Sequence, residues 1–196
     1  MKLTLDTILK NYHPKNEVER EDLKVLIKHY EQVGNSILYR NRTLAHLTSS
    51  AVVLNHNLTH MLMVHHNIYN TWTWVGGHND GDFNCLGVAL KETLEETGLS
   101  QVKPLTEEAQ SIEVLTVDGH YKKGQYVTGH LHLNVSFVFI ADDSEMIRPN
   151  LDENSKVQWI PINEISVYSN EPDFIKLYLK LIDRARNYRE ATDDRD

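Results

Sequence analysis

Between Val18 and Val33, the residues Leu23, Leu26, Ile27, Tyr30 and Val33 recur at helical spacing with charges between them, and Gly34 follows as a stop. This predicts an amphipathic helix ahead of the main fold. The period then changes. Leu47–Leu54, His60–His65, Thr71–Val75, Ser111–Val117, Leu131–Ile140 and Val157–Ile160 are short β-branched stretches divided by Asn, Gly and Asp, and they read as strands. Between the third and fourth, Asn84–Thr97 carries Leu86, Leu90, Thr93 and Thr97 on one stripe and ends at Gly98, which predicts a helix of about four turns with a left-handed cap. A last helix is predicted from about Asp173 to Arg189, buried through Phe174, Leu177, Tyr178, Leu181, Ala185 and Tyr188, before a charged Asp-rich tail.

Composition narrows the function classes. The 196 residues fit one domain with an added helical element, and 40% hydrophobic content with 9 Gly and 5 Pro excludes a disordered or fibrous chain. Against 20 Lys plus Arg stand 28 Asp plus Glu, so the net charge of -8 repels a phosphate backbone and no nucleic-acid partner is expected. Cys85 is the one cysteine, too few for an internal disulfide or a Cys-based zinc site, which sets the expectation of a reducing, cytoplasmic environment and of a small buried hydrophobe at that position. Met1 to Leu9 carries Asp6 and lacks a signal-peptide apolar region, and the longest apolar run is Phe137–Ala141, so no membrane partner is expected.

Candidate chemistry sits on the central helix. Glu92, Glu95 and Glu96 stand at i, i+3 and i+4, so their carboxylates project from one face, where like charges cost stability unless neutralised. A hard divalent cation, Mg²⁺ or Mn²⁺, is the natural neutraliser because carboxylates suit it and it keeps waters able to attack phosphorus. The alternative is a solvated acidic face with Lys91 paired to Glu95.

The surroundings of that helix carry a longer pattern. Gly76-Gly77 ends a strand, the polar loop His78-Asn79-Asp80-Gly81-Asp82 follows, then the helix, then Gly98-Leu99. The window Gly77 to Leu99 resembles the Nudix hydrolase signature G-x5-E-x7-R-E-U-x-E-E-x-G-U, with U aliphatic: Gly77, Glu92, Glu95, Glu96, Gly98 and Leu99 match, and Lys91 keeps the charge of the arginine. Phe83 replaces the first glutamate, Thr93 an aliphatic residue, and Val75 the proline that many relatives carry before the glycines. With both the glutamate and its arginine partner changed, Phe83 and the Lys91 stem are expected to brace the loop by packing instead.

The resemblance implies an α/β fold, a Nudix-type α/β/α sandwich around a mixed curved sheet with an added N-terminal helix: an extension over 1–42, the hydrolase domain over 43–190 and a charged tail over 191–196. It implies metal-dependent hydrolysis of a diphosphate linkage in a nucleoside diphosphate joined to another group, with a small-molecule diphosphate substrate, and it admits a homodimer. Glu92 would be ligand and general base, Glu95 and Glu96 ligands, the Gly76 carbonyl a further ligand, and Glu153 a loop carboxylate that completes the metal site as in some relatives. Three other readings stand beside this one: a Nudix-fold sensor that binds nucleotide without turnover, a histidine-type phosphotransferase, and an interaction domain whose acidic face meets a basic partner.

On the stretch from His130 to Ile140, alternation puts His130, His132, Asn134 and Ser136 on one face and Leu131, Leu133, Val135, Phe137 and Phe139 on the other. Four polar side chains on one face predict a wet surface, where His130 and His132 would contact substrate; satisfied strand histidines are the alternative, and a metal site would need further ligands. His130-Leu131-His132-Leu133-Asn134 falls short of the histidine-triad pattern because Asn134 stands at the nucleophile's position. His120-Tyr121-Lys122-Lys123-Gly124-Gln125 reads as a turn in which Lys122 either reaches a phosphate or stays solvated. Trp72 and Trp74 are expected in the core, with base stacking as the other use.

Overall fold

The structure, a computed structural model, describes residues 4–40, 44–122 and 124–193. Lys123 and the end of the Asp-rich tail lie outside the described residues. Two helices open the chain: α1 (Leu5–Asn11) and α2 (Glu17–Val33), followed by a 3₁₀ turn over Gly34–Leu38. Then come β1 (Ala45–Asn55), β2 (His60–His66), β3 (Thr71–Thr73), β4 (Val75–His78), α3 (Cys85–Thr97), β5 (Lys103–Pro104), β6 (Ser111–Val117), β7 (His120–Lys122), β8 (Gln125–Val127), β9 (His130–Ala141) and β10 (Asn154–Pro161), and finally α4 (Ile165–Tyr168) and α5 (Pro172–Asp193). The expected α/β class with a large mixed sheet is observed: strands β10-β2-β1-β9-β5 run in that order, with β3 on β2, β4 on β1 and β6 on β9, and β7-β8 form a separate ribbon.

Two compact units divide the chain. The first takes the residues up to Ser50, Gly76–Lys91 and Glu107–Phe137. Here Asn16 caps α2 by accepting from Glu19 N at 2.9 Å, and Gly34, at φ 55°, ends it as the pattern predicts. Glu19 is 1% exposed, and its carboxylate accepts from Tyr12 Oη, Lys15 N, Asn16 Nδ2 and Ser111 Oγ, so this buried group is hydrogen-bonded to both sides of its surroundings. Along β6 and β9 the register pairs Ser111 with Ser136, Glu113 with Asn134 and Val117 with His130.

The second unit takes Ala51–Val75, Glu92–Thr106 and the chain from Val138 onward. β10 lies antiparallel to β2 through Trp159↔Leu62 and Val157↔Val64, and β3 pairs with β2 through Val64↔Thr73. α5 buries Leu177, Tyr178, Leu181, Ile182 and Ala185, and Tyr178 Oη meets Thr73 Oγ1 at 2.9 Å. Among the described residues no helix is long and apolar enough to cross a membrane.

Several sequence expectations shift. The single strand Thr71–Val75 is broken at Trp74, which packs on Phe174 and Tyr178 while Trp72 meets Tyr168 edge-on, so Trp74 enters the core and Trp72 is half-buried. The predicted turn at His120–Gln125 is strand-paired on both sides, with Lys122 opposite Gln125. On α3 the buried stripe is Cys85, Val88, Ala89, Thr93 and Thr97; Leu86 and Leu90 are only half-buried. Thr93 and Thr97 are buried as the stripe predicts, and the Thr97 hydroxyl is satisfied by donating to Thr93 O at 2.6 Å. Tyr188 is 43% exposed rather than buried. Cys85 is buried, as expected.

Candidate functional site

α3 begins at Asn84, whose side chain accepts from Gly87 N at 3.2 Å, and ends at Gly98, φ 71°. A Cβ on Gly98 would lie 3.0 Å from Arg148 N, so the cap residue is small as well as left-handed. The segment that comes so close seams the end of the helix: Arg148 N donates to Thr97 O at 2.7 Å and Asn150 N to Glu96 O at 3.4 Å.

The three carboxylates do not share one environment. Glu95 is exposed, Glu92 half-buried, and Glu96 is 4% exposed with its Oε2 accepting from Asn154 Nδ2 at 2.7 Å. Asn154 is itself fully buried, and its Oδ1 has no hydrogen-bond partner among the described residues. Glu153, the expected extra ligand, has an exposed side chain; its N donates to Asn150 O and its O accepts from Asn67 N. Beside the backbone bond from Asn150, the side chain of Asn154 reaches a carboxylate of the helix, from a position no motif singles out.

Gly76, expected as a carbonyl ligand, belongs to the first unit and the carboxylates to the second. Its glycine has a steric reason of its own: at φ 156°, a Cβ would fall 2.4 Å from Ser50 Oγ and 2.6 Å from Ser50 Cα. The loop after it is tied to the N-terminal extension. Gly81 N donates to Leu38 O at 3.1 Å, Arg40 pairs with Asp80, and Leu5 N donates to the carbonyl of Phe83 at 3.2 Å. Asn79 fixes the middle, accepting from Ser49 Oγ at 2.9 Å and donating to Asp82 O at 2.8 Å. Where the signature's glutamate is replaced by Phe83, backbone bonds from the added helices hold the loop.

The polar face of β9 divides in two. Asn134 and Ser136 are fully buried rather than wet: Asn134 Oδ1 accepts from Thr48 Oγ1 at 2.8 Å and Ser50 Oγ at 2.9 Å, while Asn134 Nδ2 and Ser136 Oγ donate to Glu113 Oε2 at 3.2 and 2.6 Å. The expected burial cost is met by mutual hydrogen bonding rather than by solvent. His130 and His132 are half-buried and stand with His46 and His78, the four offering ligand nitrogens within 4.8 Å of one another. Burial, followed by the Arg40 and then the His132 and His46 charges, pushes His78 down to about 2; burial, then His46 and His130, pushes His132 down to about 3. Both rings are neutral at physiological pH. Lys122, the other expected substrate contact, is exposed on β7.

Comparison with known proteins adds the family. A family model described as NUDIX domain matches residues 45–181. Among solved structures, a binary complex of the Ap4A hydrolase of C. elegans is 16% identical at TM-score 0.52, covering 68% of this chain and 93% of that one. The dihydroneopterin triphosphate pyrophosphohydrolase of E. coli is 13% identical at TM-score 0.53, covering 70% and 95%. The NUDIX domain of Shewanella oneidensis NrtR, complexed with ADP ribose, is 15% identical at TM-score 0.51, covering 93% and 99%. At these identities the likeness is one of fold. No curated protein matches the sequence.

Proposed function

The chain belongs to the Nudix family, and from that premise we propose that it is a divalent-metal-dependent hydrolase of a diphosphate linkage in a nucleoside diphosphate joined to another group. The observation that supports this most is the burial of Glu96 at 4% exposure beside half-buried Glu92 and exposed Glu95. A solvated acidic face keeps its carboxylates in water, and a buried glutamate needs partners. The donors suit a hard cation: three carboxylates on one helix, next to a buried amide oxygen of Asn154 that has no hydrogen-bond partner among the described residues. Mg²⁺ or Mn²⁺ held by Glu92, Glu95 and Glu96 would supply the positive charge that a chain of net charge -8 lacks toward an anionic substrate. Glu92, in contact with solvent, is assigned as general base. Its carboxylate takes the proton of the water whose oxygen bonds to phosphorus, while the bond from that phosphorus to the bridging oxygen breaks and two phosphate products leave.

The test is turnover by the full chain on dinucleoside polyphosphates, nucleotide sugars and nucleoside triphosphates with Mg²⁺ and Mn²⁺. ADP-ribose comes first, because the similar NrtR domain was solved with it. Hydrolysis of at least one compound, stopped by chelator and restored by either ion, is expected. Saturable nucleotide binding with no turnover anywhere in the panel would instead favour the sensor reading, and turnover that persists in chelator would point to histidine chemistry.

A further inference from the structure

Two of the four clustered histidines, His130 and His132, alternate on β9 and are visible as a pair in the sequence. The others arrive from far along the chain, His46 on β1 and His78 at the end of β4, and supply the further ligands that the pair alone lacked. The rings converge: centroids lie 5.0 Å apart for His46–His78, 4.9 Å for His46–His130, 5.1 Å for His46–His132 and 4.9 Å for His78–His132.

Two details match what a metal asks of imidazoles. His130 Nε2 and His132 Nε2 are 3.2 Å apart. Two nitrogens at about 2.0–2.1 Å from a tetrahedral ion are separated by roughly 3.3 Å, so this edge of the polyhedron is already at length. His130 Nδ1 meets the Thr128 carbonyl at 2.9 Å. A carbonyl only accepts, so the proton resides on Nδ1 and the lone pair of Nε2 faces the group, the outer hydrogen bond that orients ligating histidines. Four nitrogen donors without a carboxylate or thiolate suit a borderline dication and not Mg²⁺.

We propose that His46, His78, His130 and His132 form a closed structural site for a first-row transition-metal dication, with Zn²⁺ as its test ion, sharing no residue with the α3 carboxylates. A closed set of four protein ligands leaves no position for substrate and instead ties β1, β4 and β9 together. His130 and His132 are then ligands rather than substrate contacts. The site does not depend on the hydrolytic reading, since an inactive chain would still take up the ion.

The experiment strips the full chain with chelator, dialyses it against Zn²⁺ in excess Mg²⁺, and reads bound zinc per chain by mass spectrometry together with the thermal midpoint. One Zn²⁺ per chain and a higher midpoint are expected, with Co²⁺ giving the intense visible absorption of a tetrahedral site. His78→Ala and His132→Ala should each weaken Zn²⁺ binding at least tenfold, while Glu92→Gln leaves it unchanged. If His78→Ala does not fold, His130→Gln at a half-buried ring carries the same expectation. Substoichiometric zinc in the wild-type chain, or folded histidine variants that hold zinc as the wild type does, would overturn the proposal.

Discussion

Asn154 Nδ2 donates to Glu96 Oε2 at 2.7 Å, both side chains in the interior, which links the first residue of β10 to the last turn of α3. A charge-assisted bond to a buried carboxylate is worth more than a surface ion pair, and removing the donor leaves that carboxylate under-solvated. Asn154→Ala should destabilise the metal-free chain by about 1–3 kcal/mol in urea unfolding. Asn154→Asp should be worse still without metal and should recover with Mg²⁺ or Mn²⁺, because the ion would neutralise the added charge. Equal midpoints with and without metal in Asn154→Asp would separate this pair from the cation.

Exchanging a carboxylate for an amide keeps shape and removes charge. Glu92→Gln should lower kcat by about 10² to 10⁴ with little change in KM. Glu95→Gln and Glu96→Gln should remove most activity; at exposed Glu95 thermal unfolding without metal should be unchanged or slightly raised as repulsion is relieved, whereas Glu96→Gln also gives up the charge that strengthens the bond from Asn154 and should lower it slightly. Variants that lose fold and activity together would make the carboxylates structural.

Glu153→Ala tests the expected loop ligand. With Glu153 exposed and its backbone already engaged by Asn150 and Asn67, the metal titration should be that of the wild type, whereas a raised metal requirement would bring this side chain into the site.

Gly76→Ala should unfold the chain or cost roughly 1–3 kcal/mol or more, because the new methyl meets Ser50 Cα at 2.6 Å and not only its hydroxyl. Ser50→Gly therefore should not rescue it. A double variant as stable as wild type in thermal unfolding would show that the hydroxyl was the whole obstacle.

Burial pushes the Cys85 thiol up to about 11, above its ordinary 9.0. A group raised in the folded state stabilises fully below the unfolded value, and that contribution disappears as pH rises from 9 to 11. Stability should fall in this window by at most about 1.4 kcal/mol per pH unit from this group, and Cys85→Ala should flatten the decline. At pH 8 the native thiol should be inert to a disulfide reagent; rapid labelling without unfolding would contradict its burial.

The readable parts of this chain are those whose signals are local. Gly34 and Gly98 stop helices because their own φ is positive, and the E-x-x-E-E spacing lies within one helix. What escaped depends on partners distant in sequence. His46 and His78 stand far along the chain from the His130-His132 pair, and nothing near them in the sequence points to it. The buried face of α3 takes in Cys85, Val88 and Ala89 and leaves Leu86 half-buried, a choice made by what packs against the helix and not by its own spacing. Asn154 is one asparagine in an acidic loop until β10 carries it against Glu96.

The knot of Glu113, Asn134 and Ser136 also governs how the chain can misfold. Glu113 lies opposite Asn134 and beside Ser136 on the paired strands, and these two supply donors to its carboxylate. Slide β9 by one residue and Leu133 or Val135 takes the place of Asn134, leaving a dry carboxylate among hydrocarbon and sending apolar side chains to the wrong face. A purely aliphatic strand pair would tolerate neighbouring alignments at small cost. Here the polar trio makes the native alignment the one in which the carboxylate keeps its donors, so an alignment off by one is penalised.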